Sequence, residues 1–142
     1  MTKLTEAEKR SLIAQAIEAR TRAVAPYSHF LVGAALLAAD GRVFTGCNIE
    51  NAAFTPTNCA ERTALFKAVS EGVTRFTDIA VVGAREGQVN ELVTAPCGVC
   101  RQALFEFCGP ELNVIMAKSC EDYIERSLGE LLPFGFGGAN VL

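Results

Sequence analysis

The stretch NCAERTALFKAV, residues 58–69, places a cysteine, a glutamate and an arginine within four residues at the start of an apolar helix. A second stretch, APCGVCRQALFEF (residues 95–107), repeats this plan with a cysteine pair, an arginine and then apolar residues. The first turn of a helix has free N–H groups and the positive end of the helix dipole, which favour thiolates. We therefore predict that the two helix starts bind one metal ion together.

The metal site is predicted to consist mainly of thiolates, because His29 is the single histidine of the chain. Cys97 and Cys100 lie one helical turn apart, so both sulfur atoms can face one point. Such a pair also occurs in redox dithiols, and a third ligand is needed to distinguish the two. Cys59, at the other helix start, is that third ligand. Closely spaced thiolates suit zinc, and we expect one Zn²⁺ per subunit.

A zinc site with a structural role needs a fourth protein ligand, whereas a catalytic site keeps one position open. Cys108 is eight residues beyond Cys100, which is about 12 Å along a helix. A zinc–sulfur bond is only about 2.3 Å long, so Cys108 is excluded if the helix is continuous. Cys120 has no helix start to place it. Cys47 is not excluded by spacing, although a small buried residue at a strand end is the commoner situation. An open fourth position is favoured.

Two charged residues beside the ligands are candidates for catalysis. Glu61 follows Cys59 by two residues and can accept a proton from a metal-activated water, although acids are also common in the first turn of ordinary helices. Three thiolates around a divalent ion leave a net negative charge. Arg62 and Arg101 can offset that charge, and Arg62 is the stronger candidate because it lies close to both Cys59 and Glu61.

The overall composition indicates one globular domain over residues 1–142, with 50% hydrophobic and 20% charged residues. The formal net charge of -3 argues against nucleic-acid binding. No apolar run is long enough to cross a membrane, and the polar first 15 residues do not resemble a secretory signal. We therefore expect a cytoplasmic protein, in which six cysteines are better explained by metal binding and burial than by disulfides.

The chain pattern predicts an α/β fold with one mixed sheet covered by helices. A capping box, Thr5 to Glu8, opens the first helix. Two apolar runs flank Asp40-Gly41, which is a strong hairpin signal. Two further strands are predicted at 78–84 and 112–117, a short helix is predicted in SLGELL (127–132), and Arg85–Val93 is a surface loop to which no role is assigned.

The motifs together resemble the cytidine deaminases of the homotetrameric, three-cysteine zinc type. They are Cys-Ala-Glu-Arg at 59–62, Pro-Cys-Gly-x-Cys-Arg-Gln at 96–102 and FTGCNIENAAF at 44–54. The similarity extends from YSHFLVGAAL (27–36) to ELLPFGF (130–136), which is nearly the whole chain. It implies a three-layer α/β/α arrangement with one mixed, roughly five-stranded sheet, and a homotetramer with shared active sites.

This resemblance also implies the reaction, which is hydrolysis of cytidine and deoxycytidine to uridine and deoxyuridine with release of ammonia, as in pyrimidine salvage. Cys59, Cys97 and Cys100 would bind zinc. Glu61 would protonate N3 of the cytosine ring and then deliver a proton to the departing amine, while an activated water attacks C4.

The implied substrate contacts involve the sugar and the base of a nucleoside. Asn48 and Glu50 would bind the ribose 3′-hydroxyl, since an amide and a carboxylate can both do so. Their alternation with Ile49 also fits the solvent-facing side of a strand end. The remaining implied contacts are the Ala60 N–H and the Ala95 carbonyl at the base edge, the Phe30 ring flanking the base, and Phe136 of a neighbouring subunit.

Three alternatives remain at this point. A structural zinc module would use Cys47 as a fourth ligand and leave Glu61 without a role. A polynucleotide deaminase is disfavoured by the acidic charge balance. A deaminase of a cytosine nucleoside antibiotic, of the blasticidin S type, shares the cysteine motifs, but Glu50 favours an ordinary nucleoside. Phe54 departs from the tyrosine that is frequent in the family.

Overall fold

The computed structural model describes residues 3–88 and 91–142. Val89 and Asn90, which belong to the predicted surface loop, lie outside the described residues. The elements in chain order are α1 (Glu6–Arg20), β1 (Phe30–Ala38), β2 (Val43–Cys47), α2 (Ala60–Ser70), β3 (Phe76–Arg85), α3 (Gly98–Cys108), β4 (Asn113–Ala117), β5 (Tyr123–Ser127), α4 (Leu128–Leu131) and a 3₁₀ turn at Gly138–Asn140.

The strands form one mixed, five-stranded sheet in the order β2-β1-β3-β4-β5. β1 runs antiparallel to both β2 and β3, and β5 runs antiparallel to β4. β3 and β4 are parallel, so the chain between them must cross over the sheet, and α3 is the helix of that crossover. Because α3 begins with the second cysteine motif, this crossover delivers the cysteine pair to the layer that also contains α2.

The helices cover both faces of the sheet, which confirms the predicted three-layer α/β/α arrangement. Successive strand residues point to opposite faces. On β1, Ala35 packs in the cluster that contains Ile13 of α1, whereas Ala34 and Leu36 pack in the cluster that contains α2, α3 and α4. The metal motifs therefore share one layer. Among the helices of the described residues, none is long and apolar enough to span a membrane.

The predicted capping box at the start of α1 is confirmed. Thr5 Oγ1 accepts from the Glu8 N–H at 3.1 Å, and a Glu8 carboxylate oxygen accepts from the Thr5 N–H at 2.9 Å. Gly72 and Gly109 follow α2 and α3 with φ of 89° and 69°, a conformation that favours glycine. Gly41 has a φ of 96° in the turn between β1 and β2.

The sequence patterns predicted four of the five strands, and β5 was not among them. Its sequence, YIERS, alternates between half-buried and exposed residues and has no apolar run. β5 lies at the edge of the sheet and pairs with β4. It is stabilised by polar contacts instead, because Glu125 accepts from Lys9 Nζ at 2.9 Å and from Asn113 Nδ2 at 2.8 Å. Lys9 is 116 residues away from Glu125 in the chain, and Asn113 is 12 residues away.

Gly33 of β1 allows α1 to pack directly against the sheet backbone. A Cβ atom at this position would overlap the Ala16 carbonyl oxygen and lie 2.6 Å from the Arg20 nitrogen. We expect Gly33→Ala to lower the free energy of unfolding by about 3 kcal/mol, because backbone atoms cannot move aside as a side chain can. Urea unfolding at a fixed zinc concentration measures this change.

The matched control is Gly138→Ala, where the nearest atom to the added Cβ is Leu142 Cδ1 at 4.0 Å. We expect its free energy of unfolding to stay within about 0.5 kcal/mol of the unsubstituted protein. Equal stability of the two variants would contradict the close packing of α1 on β1.

Candidate active site and metal centre

The three predicted ligand cysteines lie together at the starts of α2 and α3. Cys59 is the N-cap of α2, and Cys97 is the N-cap of α3. Cys100 is buried in the first turn of α3, and its N–H points to Cys97 Sγ at 3.5 Å. The three sulfur atoms all lie within 4.8 Å of one another. The structure therefore brings together residues that are 41 positions apart in the chain, from 59 to 100.

The geometry of this cluster fits a zinc ion. Tetrahedral ligands at about 2.3 Å from zinc lie about 3.8 Å from one another, and the Cys59 and Cys97 sulfur atoms are 3.7 Å apart. Within the described residues, the cluster contains neither a fourth cysteine nor a histidine or carboxylate. Cys47, the alternative fourth ligand, is thus not part of it. Three thiolates and one open position form the ligand set of a catalytic site.

The strand–helix contacts explain why the α2 start lies where it does. Asn58 and Ile49 exchange two backbone hydrogen bonds of 2.9 Å, so the segment before Cys59 is fixed beside the end of β2. Gly46 of β2 then lets α2 approach closely, since a Cβ there would lie 2.6 Å from the Ala64 nitrogen. The sheet therefore determines both the position and the orientation of the first ligand, Cys59.

Arg101 has a different environment from the one the sequence predicted. Its Nε donates to the Pro96 carbonyl at 2.7 Å, and its Nη1 donates to the Leu131 carbonyl at 2.8 Å. Arg101 therefore fastens the buried Pro96, next to Cys97, to the end of α4. These contacts position the start of α3, and the offset of thiolate charge by Arg101 stays a prediction.

Arg62 does contact the ligands, as predicted. Its Nη2 donates to Cys59 Sγ at 3.4 Å. Hydrogen bonding from Cys100 and from Arg62 lowers the pKa of Cys59 to about 5, despite the opposing effect of burial. Burial alone would lower the pKa of Arg62, but its bonds to Cys59 and Cys100 raise it. The Arg62 Nε is buried with no hydrogen-bond partner in the part of the chain that the structure describes.

Glu61 is a buried carboxyl beside the three thiols. It is 3% exposed, and burial raises its pKa to about 7, with a smaller contribution from the Cys59 thiolate. A carboxylate of this kind can take up and release a proton near neutral pH. Its burial distinguishes it from an ordinary first-turn acid, which would be solvated.

Asn48 is buried, contrary to the alternative of a solvent-facing strand end. Asn48 is 9% exposed, whereas its neighbour Ile49 is 45% exposed. The polar residue is therefore buried and the apolar residue is exposed, which is the reverse of the pattern expected for a solvent-facing strand end. Its Oδ1 accepts from the Val32 N–H at 2.9 Å, and its Nδ2 donates to the Phe30 carbonyl at 2.8 Å. Asn48 thereby joins the end of β2 to the start of β1, and one amide hydrogen remains for a ligand.

Glu50 lines a small cavity of about 260 Å³ together with Tyr27, Ser28, Phe54 and Thr57. Its Oε1 accepts from the N–H groups of Tyr27 and Ser28 at 3.0 and 3.1 Å. Its Oε2 accepts from the Ser28 hydroxyl. These bonds fix the carboxylate, and sequence reasoning missed Ser28 because a hydroxyl in a turn has no distinctive spacing.

The remaining predicted substrate contacts differ in their burial and in their neighbours. Ala60 is fully buried at the first position of α2, and Ala95 is exposed just before Pro96. Phe30 is half-buried, and its ring lies close to Gly83. Phe136 is 60% exposed, and its carbonyl accepts from Gln102 Nε2 at 2.7 Å. Gln102, a further residue that sequence reasoning did not identify, thus fastens the C-terminal segment to α3.

Comparisons with known proteins agree with this site. The zinc-binding region of cytidine and deoxycytidylate deaminases matches residues 6–116. Cytidine deaminase of Sporosarcina psychrophila is 51% identical over 125 residues, covering 88% of each chain. Cytidine deaminase of Halalkalibacterium halodurans is 48% identical over 129 residues, which is 91% of this chain and 94% of that protein.

Solved structures show the same relationship. The crystal structure of cytidine deaminase from Burkholderia pseudomallei aligns with a TM-score of 0.80 at 48% identity, over 89% of this chain and 97% of that chain. The enzyme from Mycobacterium tuberculosis aligns with a TM-score of 0.76 at 42% identity, over 89% and 95%. Fold and metal cluster together define a zinc-dependent hydrolase. The chain belongs to the cytidine and deoxycytidylate deaminase family.

Removal of one sulfur ligand tests the metal centre. We expect Cys100→Ala to lose nearly all bound zinc, because two thiolates cannot complete the site and Cys100 is buried within it. Zinc per chain, measured by elemental analysis after dialysis against a weak chelator, gives the result.

The control is Cys108→Ala, which removes a thiol from the last turn of α3, outside the cluster. It should retain the zinc content of the unsubstituted protein. Zinc loss from both variants, or from neither, would contradict the assignment of the ligands.

Proposed function

We propose that this protein hydrolyses cytidine and deoxycytidine to uridine and deoxyuridine with release of ammonia, as a step of pyrimidine salvage. The observation that carries the proposal is the buried Glu61 beside three converging thiols. The relatives that bear the name cytidine deaminase support it. Zinc bound by Cys59, Cys97 and Cys100 would supply the Lewis acid that activates water for attack on C4.

Glu61 is the proton carrier of the proposed reaction. It takes a proton from the attacking water and donates it to N3 of the cytosine ring; it then takes the proton of the C4 hydroxyl and delivers it to the amine, which departs as ammonia as the C4 carbonyl forms. A pKa of about 7 suits both directions of transfer at neutral pH. Because Glu61 is 3% exposed, bulk water has little access to the proton during transfer.

Arg62 and the two helix starts offset the charge of the thiolates. The guanidinium contacts Cys59 directly, and the free N–H groups at the starts of α2 and α3 face the same cluster. This positive environment would offset the negative charge that three thiolates bring to a zinc ion, which would favour loss of a proton from the activated water.

The substrate contacts surround this centre. The Ala60 N–H and the Ala95 carbonyl bind the base edge, and the Phe30 ring covers the base face. Asn48 and Glu50 bind the ribose 3′-hydroxyl. This proposed role of Asn48 and Glu50 is supported by the fixed position of both side chains. Each is hydrogen-bonded to the backbone of the neighbouring turn or strand.

The enzyme is proposed to be a homotetramer in which Phe136 completes the site of a neighbouring subunit. The support within this chain is the exposed aromatic character of its C-terminal segment, where Phe134 and Phe136 are 105% and 60% exposed. A cytoplasmic location is proposed as well, and the six free cysteines of the structure accord with a reducing compartment.

Glu61→Gln tests the proton carrier. The amide preserves shape but cannot carry the proton, so we expect kcat for cytidine and deoxycytidine to fall by a factor of about 10⁴ while zinc content is unchanged. Turnover is followed by the absorbance change of the cytosine ring, and zinc by elemental analysis.

The control for this experiment is Glu71→Gln, in the exposed cap of α2, which should keep full activity. Substantial turnover by Glu61→Gln would contradict the proton role. Turnover of blasticidin S in place of cytidine by the unsubstituted enzyme would contradict the proposed substrate.

Co-expression of two variants with different defects tests the shared site. Phe136→Ala should raise KM because the base loses an aromatic cover, and Glu61→Gln should remove kcat. Co-expressed, the two variants should form mixed tetramers in which some sites combine an intact Glu61 with an intact Phe136 of a neighbour. We expect these sites to recover the unsubstituted KM. Sedimentation of monomers, or no recovery in mixed tetramers, would contradict the assembly.

A further inference from the structure

We propose that Ser28 is a positioning residue that orients Glu50 for recognition of the sugar 3′-hydroxyl. This inference rests on the proposed function, in which Glu50 contacts the sugar. Ser28 itself has no substrate contact in that function. Its hydroxyl donates to Glu50 Oε2, while its N–H donates to Oε1 at 3.1 Å. One residue therefore contacts both oxygens of the carboxylate.

The Phe30 N–H determines the direction of the Ser28 hydroxyl hydrogen. Ser28 Oγ accepts from this N–H at 3.0 Å. A hydroxyl has one hydrogen and two lone pairs, so an acceptor bond on one side directs the hydrogen to the other side. That other side is Glu50. The Ser28 oxygen is thus bonded both to the backbone of β1 and to the Glu50 carboxylate, which lies 22 residues later in the chain. The position of β1 therefore helps to determine the position of this carboxylate.

The turn that contains Ser28 has a strained backbone at His29, and two hydrogen bonds of the His29 backbone maintain it. His29 has a φ of 59°, which a residue with a side chain seldom adopts. The turn is maintained by the His29 N–H, which donates to the Ala25 carbonyl at 3.0 Å, and by the His29 carbonyl, which accepts from the Glu86 N–H at 2.7 Å. These two bonds fix the backbone at His29, between Ser28 and Phe30.

The same network extends to the second proposed sugar contact. The Phe30 carbonyl accepts from Asn48 Nδ2 at 2.8 Å. The backbone of Phe30 is therefore bonded by Ser28 on its nitrogen side and by Asn48 on its carbonyl side. Glu50 and Asn48 are fixed relative to one another through this single residue, which gives two sugar-binding groups a constant separation.

One acceptor place of Glu50 remains after these bonds, on Oε2, because the carboxylate can accept about four hydrogen bonds and Oε1 already accepts two. The three donors of Tyr27 and Ser28 occupy three of those places. The remaining place can accept the hydrogen of a sugar hydroxyl only in one direction. Loss of the Ser28 hydroxyl leaves Oε2 free to rotate or to bind water, so the directed acceptor is lost.

The test compares Ser28→Ala with the unsubstituted enzyme on substrates with and without the 3′-hydroxyl. For cytidine and deoxycytidine we expect KM to rise about 10-fold, the effect of one charge-assisted hydrogen bond, with kcat within about 2-fold. For 2′,3′-dideoxycytidine we expect KM to change by less than about 2-fold, because the group that Glu50 recognises is missing.

Two further variants separate positioning from folding. Ser28→Thr keeps a hydroxyl and should restore most of the discrimination between substrates with and without the 3′-hydroxyl. Ser28→Cys keeps the size of the side chain but is a weak donor, and it should not restore this discrimination. In a Glu50→Gln background, Ser28→Ala should add no more than about a 2-fold change in KM. Zinc content and the urea midpoint are measured for every variant.

The outcomes are distinguishable. A KM for cytidine that is unchanged in Ser28→Ala, or one that rises equally for dideoxycytidine, overturns the role of Ser28 while the proposed function stands. Absence of cytidine turnover in the unsubstituted enzyme overturns the proposed function itself. If Ser28→Ala does not fold, equal discrimination by Ser28→Thr and Ser28→Cys overturns the inference.

Discussion

The arrangement of this protein depends on the approach of three sulfur atoms to within 4.8 Å of one another. Thiolates at that separation repel, so the cluster is stable only where positive charge surrounds it. The chain supplies two helix N-termini and the Arg62 guanidinium, and a zinc ion supplies the rest. The metal centre is therefore a product of the fold, which brings the sulfur atoms and the positive charge together.

The sheet makes this approach possible. α2 is fixed to β2 through the close contact at Gly46, and α3 is part of the crossover between the parallel strands β3 and β4. Arg101 fastens the start of α3 to Pro96 and to the end of α4. The buried Glu61 then faces a cluster whose position is determined on both sides, and such rigidity is what proton transfer requires.

The sequence predicted those features whose signals are local. Cysteine spacing and the apolar residues after it predicted the two helix starts and the ligands, and Asp40-Gly41 predicted the hairpin. β5 was missed because its alternating polar sequence gains stability from residues outside the strand, Lys9 and Asn113, which lie 116 and 12 residues from Glu125. The contact of Arg101 with the Leu131 carbonyl was not predicted either, since Leu131 is 30 residues away. Burial of Asn48 likewise depends on β1, which no pattern around Asn48 reveals.

The central claim is that three sulfur atoms bind one zinc ion with a fourth position left for solvent. X-ray absorption spectroscopy of the purified, unsubstituted protein tests it most directly. The account predicts one zinc per chain with three sulfur neighbours at about 2.3 Å and one oxygen neighbour at about 2.0 Å. Four sulfur neighbours, or protein that binds no zinc at stoichiometric concentration, would contradict it.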